Sequence, residues 1–110
     1  MSPEEARALA LALPDAVEAD HHGMPSFRVG SRIFATLRTI PARLMVKLDP
    51  EDQANLVAGH PDVITPVPGY WGRKGSTFVD LQRAEKPLVA MLLDLAWRNV
   101  APARLVSSAR

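Results

Sequence analysis

Between Ser26 and Leu48 the chain switches between apolar and polar residues at almost every position, which limits it to strands with one buried face. Phe27 and Val29 oppose Ser26 and Arg28; Gly30-Ser31 then reads as a tight hairpin turn. Ile33, Ala35 and Leu37 oppose Arg32, Phe34, Thr36 and Arg38, and after a turn at Pro41, Leu44, Val46 and Leu48 oppose Arg43, Met45 and Lys47. If the apolar set faces a core, then Arg28, Arg32, Arg38, Arg43 and Lys47 face out, with Phe34 and Met45 among them. No acidic residue lies between His21 and Leu48. A sheet face that presents positive charge is a candidate surface for an anionic partner, nucleic acid first.

The flanking segments supply helices and further strands. Ser2, Pro3 and Glu5 form a helix start with a capping box, and Ala6, Leu9, Ala10 and Leu13 follow at helical spacing until Pro14. Val17 to Asp20 alternates, with Glu18 and Asp20, and Asp80 of the later strand, expected on the same side as the arginines, where cross-strand pairing would cancel part of their field. Asp49-Pro50-Glu51-Asp52 opens a second helix that stops at Gly59. Asp62–Val67 and Ser76–Leu81 read as strands, the first at an edge because of its prolines. The last helix runs from Pro87 to Asn99, and residues 103–110 read as a loose tail. The expected fold is α/β in the two-layer α+β sense: an antiparallel sheet of about five to six strands with helices on one face, in a single domain over 1–110.

Composition excludes several classes. Zero cysteines rule out disulfides and thiolate chemistry, and no apolar run approaches the roughly 20 residues of a membrane span. The acidic start, Met1 to Glu5, does not resemble a signal peptide, so a cytoplasmic location is expected. His21 and His22 are adjacent in an extended reading and point apart, and His60 stands in a turn, so no metal-ligand spacing exists. Ser26, Ser31 and Ser76 lie in no nucleophile motif. The expectation is a non-enzymatic protein without cofactor.

Two further features bear on partners. The loop Gly69-Tyr70-Trp71-Gly72-Arg73-Lys74-Gly75 combines glycines, two cations and two aromatics. Arg73 and Lys74 can extend a phosphate track, and Tyr70, Trp71 and Phe34 are candidates for stacking on a base or planar ligand. The alternative is a hairpin with Trp71 folded onto the core edge. The last helix is apolar on most sides; burial explains this, with a homodimer contact through Val89, Leu93 and Trp97 as the alternative.

Several strings, taken in order, resemble the MmcQ/YjbR family. They are Leu13-Pro14-Asp15-Ala16-Val17-Glu18, His22-Gly23-Met24-Pro25-Ser26-Phe27-Arg28-Val29-Gly30, Phe34-Ala35, His60-Pro61-Asp62-Val63, and the run Ala96 to Leu105. The resemblance implies a two-layer fold like that of CyaY and the type III secretion chaperones, DNA binding through a sheet surface, and an association with mitomycin resistance. It carries no catalytic motif. Where other members have a His-Leu-Asn-Lys-type loop before the last strand, this chain has Gly69 to Lys74. The reading is therefore nucleic-acid binding, weak and not sequence-specific, by Arg28, Arg32, Arg38, Arg43, Lys47, Arg73 and Lys74. Its rival is a protein- or planar-ligand-binding module.

Overall fold

A computed structural model describes residues 1–108. The elements are α1 (Pro3–Leu11), β1 (Val17–His21), β2 (Met24–Val29), β3 (Arg32–Thr39), β4 (Ala42–Lys47), α2 (Pro50–Gly59), β5 (Ile64–Pro66), α3 (Tyr70–Arg73), β6 (Ser76–Asp80), α4 (Lys86–Val100) and α5 (Ala103–Ser108). The strands form one antiparallel sheet in the order β1-β2-β3-β4-β6-β5. α1 and α4 pack over β3 and β4. The expected α+β architecture is the one observed.

Local chemistry accounts for the starts of the helices. The Ser2 hydroxyl accepts from the Glu5 N–H at 3.1 Å while the Glu5 carboxylate accepts from the Ser2 N–H at 3.0 Å; the Ser2 N–H first, and then the Ser2 hydroxyl, hold the Glu5 carboxyl below its usual pKa. Asp49 caps α2 by accepting from the Glu51 N–H at 3.0 Å, with Pro50 in the first turn. Ala6 and Ala10 bring α1 close to the sheet, and Val89, Leu92, Leu93, Ala96, Trp97 and Val100 bury one broad face of α4. Fully burying a large apolar side chain stabilises by about 1.5–3 kcal/mol, so this face dominates the core. Trp97 is fully buried, and its indole N–H donates to the Pro14 carbonyl at 2.9 Å.

Several sequence expectations need correction. Val89, Leu93 and Trp97 lie in the core and offer nothing to a second copy; the exposed large apolar residue of α4 is Met91. Residues 103–108 of the expected tail form α5, with Leu105 and Val106 packed against the core; residues 109–110 of that tail lie outside the described part. The strand expected over Asp62–Val67 contracts to Ile64–Pro66.

The Gly69–Gly75 segment is a turn of helix held from below, not a flexible hairpin. Gln53, buried on α2, directs its amide N–H groups at the Gly72 carbonyl (2.9 Å), the Ser76 carbonyl (3.1 Å) and Thr77 Oγ1 (3.0 Å). The Thr77 hydroxyl in turn donates to the Gly75 carbonyl at 2.8 Å. Two glycines permit this closeness: a Cβ on Gly72 would sit 1.6 Å from the Val67 oxygen, and one on Gly75, which has φ +113°, would sit 1.9 Å from the Leu48 oxygen.

Gln53→Ala should therefore cost about 2 kcal/mol in urea unfolding, because three oxygens lose a buried donor. A loss within about 0.5 kcal/mol, the usual range for a surface substitution, would contradict this role.

Candidate nucleic-acid interface

The sheet face away from the helices carries a groove of about 430 Å³. Its floor is apolar: Met24 of β2, Ile33 of β3, Met45 of β4 and Phe78 of β6 line it together with Thr36. Val67 and Trp71 wall it on one side and His21 lies at its β1 edge, while Arg43 and Lys47 bring positive charge to its lining.

A β-bulge decides which side chains build this floor. Phe27 pairs with Ala35, but the next β2 residue, Arg28, pairs with Ile33, so Phe34 has no partner across the strand. Two successive residues, Phe34 and Ala35, then turn inward and both are fully buried. Phe34 is thus a core residue and not a stacking platform. Ile33, expected in the core, takes its place on the open face. Arg32 is also displaced: it pairs with the buried Val29, leaves the open face and stands exposed at the end of the strand.

The remaining cations keep their expected side. Arg38 and Arg43 face each other across β3 and β4. Partial burial, and then the Arg38 charge, lower the pKa of Arg43 from that of a free guanidinium. The Arg43 guanidinium lies 3.7 Å from the centroid of the Phe78 ring, a cation–π contact that fixes it beside the floor. Arg28 is engaged within the sheet, donating to Ser26 Oγ at 3.1 Å and to the Asp20 carbonyl at 3.3 Å.

Of the acids expected to neutralise this face, Glu18 and Asp20 leave it, and Asp80 stays on it without forming an ion pair with its cations. Glu18 pairs with Phe27 in register, which turns it to the helix side, where it bonds Arg7. The Asp20 carboxylate accepts from the Gly23 N–H at 3.3 Å. Asp80 stands opposite Arg43, but its carboxylate accepts from the Gln82 N–H at 2.9 Å and lies 3.7 Å from Arg83. Among the described residues, no carboxylate forms an ion pair with Arg28, Arg32, Arg38, Arg43, Lys47, Arg73 or Lys74.

The aromatic candidates separate. Trp71 is 61% exposed and stands in the groove wall; Tyr70 sits edge-on to it, with ring centroids 5.1 Å apart. Lys74 Nζ lies 5.5 Å from the Tyr70 centroid, and Arg73 is exposed on α3 outside the groove lining. Sequence reasoning missed Phe78, although the outward parity of Asp80 two residues later implied it. His21 and His22 do not point apart: His22 adopts φ 53° in the β1–β2 turn, and the two rings meet edge-on at 4.5 Å. No cluster of three or more His, Cys, Asp or Glu side chains suited to a metal occurs among the described residues. No helix among them is long and apolar enough to cross a membrane.

Comparison with known proteins agrees with this architecture. The YjbR family model matches residues 11–99. The crystal structure of Deinococcus radiodurans protein DR2400, which has a DUF419 domain, superposes with a TM-score of 0.75 at 24% identity, over 99% of this chain and 85% of that one. At that identity the likeness establishes the fold. No curated protein matches the chain.

Like charges directly opposite in a sheet repel, so Arg38→Glu should stabilise the protein by up to about 1 kcal/mol. Urea unfolding at low and high salt checks this: the gain should shrink as salt screens the pair. A loss of stability would show that Arg38 is held by contacts of its own.

Proposed function

The chain belongs to the YjbR family, and from its open sheet face we propose that it binds single-stranded nucleic acid. The observation that carries this reading is the absence of any carboxylate partner, among the described residues, for cations beside an apolar groove. An extended strand presents alternating demands that the face meets. Its bases need apolar or aromatic surface, which Trp71, Phe78, Ile33 and Met45 offer. Its phosphates need cations within reach, which Arg38, Arg43 and Lys47 supply. A duplex keeps its bases stacked inside and would engage the rim alone. In this reading the protein is a cytoplasmic binding module rather than an enzyme, and it contacts its partner without reading sequence.

A second reading rests on the same floor: a small planar ligand could lie against Phe78 and Trp71. It needs the apolar residues and not the Arg38–Arg43 pair, which separates the two.

Fluorescence anisotropy with labelled single- and double-stranded DNA over a range of salt tests the proposal. Single strands should bind more tightly than duplex, and affinity should fall steeply with salt. Replacing Arg38, Arg43 and Lys47 together with Ala should reduce the slope of log K against log salt by about 2, at roughly 0.7 per lost phosphate contact. Trp71→Ala should weaken single-strand binding by about 1–3 kcal/mol, the usual worth of one base stack, and leave duplex binding nearly unchanged. Salt-independent binding, or none at low salt, would refute phosphate contact.

A further inference from the structure

The groove is not closed at its Lys47 end. A smaller cavity of about 220 Å³ adjoins it, and Lys47, Trp71 and Ser76 stand in the walls of both. Arg32, Lys74 and Asn99 complete its polar lining. We propose that this cavity is a subsite for a phosphomonoester, and that the base carrying it lies in the groove across Trp71. The proposal rests on the nucleic-acid reading above and narrows it from any stretch of backbone to a phosphorylated nucleotide end.

Three cations arrive here from three elements: Arg32 begins β3, Lys47 ends β4, and Lys74 follows α3. The bulge that buries Phe34 is also what takes Arg32 off the open face and leaves it at this corner. None of the three has a carboxylate ion-pair partner among the described residues. The nearby end of α4 offsets part of this charge, since the C-terminus of a helix carries about half a negative charge. That leaves more than two positive charges uncompensated. An internal phosphodiester brings one negative charge, whereas a phosphomonoester brings about 1.5 to 2 at neutral pH and three strong acceptor oxygens. The monoester is the better match in charge and in number of acceptors. Asn99 serves as a positioning residue: its side-chain amide donates to the Lys47 carbonyl at 3.0 Å and ties α4 to the end of β4.

The test uses short single-stranded oligothymidylates, labelled internally, with both ends hydroxyl, with a 5′-phosphate or with a 3′-phosphate. Anisotropy titrations of the wild type should show one phosphorylated form binding about tenfold more tightly than the hydroxyl-ended form, since hydrogen bonds to a charged group are worth about that much. Arg32→Gln and Lys74→Gln should each remove most of this preference. Both residues lie off the groove floor, so affinity for the hydroxyl-ended strand should change by about twofold at most, the range of a surface cation not in contact. Competition by dTMP, with thymidine as control, separates the sources. Displacement by dTMP alone would support a free nucleotide as sufficient ligand. If dTMP fails while the phosphorylated strand keeps its preference, the strand end is the ligand. Equal binding of all three strands would overturn the subsite while leaving single-strand binding intact. Binding of none would overturn the nucleic-acid reading, and the subsite with it.

Discussion

The single unpaired residue in β3 governs how the open face is built. Without the bulge at Phe34, strict alternation would place a phenylalanine among the arginines, send Ile33 to the core and keep Arg32 on the same face as Arg38. With it, Phe34 and Ala35 both enter the core, Ile33 joins Met24, Met45 and Phe78 in an apolar floor, and Arg32 turns to the corner near Asn99. One extra residue thus separates the cations into two groups, one beside a groove and one around a smaller pocket. The benefit to the core is direct, since a buried aromatic contributes a few kcal/mol.

The second constraint is electrostatic and works against stability. Arg38 and Arg43 are opposed across a ladder, and no carboxylate pairs with either among the described residues. The acids of β1 bond elsewhere, Glu18 to Arg7 and Asp20 to the turn at Gly23. Asp80, the one carboxylate in register with Arg43, turns to Gln82 and Arg83. A sheet optimised for stability alone would pair these charges. Leaving them open, with one guanidinium held over Phe78, is the arrangement expected where an anion completes the neutralisation.

Much of this was legible in the sequence, for reasons of locality. The capping box of α1, the Asp49 cap of α2 and the prolines that start both helices are short-range signals, as is the alternation through β3 and β4, and together they gave the order of elements. The parts that were not legible depend on a partner distant in sequence. The bulge is visible only once β2 is laid against β3. The side taken by Glu18 depends on how the His22-Gly23 turn sets β1 against β2. The helical turn at Tyr70 to Arg73 is held by Gln53 from α2, nineteen residues before Gly72. α5 lacks a strong local start and is kept by Leu105 and Val106 against the core. Phe78 alone was within reach, since its parity follows from that of Asp80.

The two tryptophans allow the most direct test. Trp71 stands exposed in the groove wall, whereas the Trp97 indole is buried and bonded to the Pro14 carbonyl on the opposite side of the sheet. Each gives its own indole N–H signal in a nitrogen–proton correlation spectrum of labelled protein. On addition of a short single-stranded oligonucleotide the Trp71 signal should move, together with backbone signals of β3, β4 and β6, while the Trp97 signal stays. Movement of Trp97 and the α1–α4 surface with Trp71 unchanged would place the partner on the helices, and the open sheet face would no longer be the binding site.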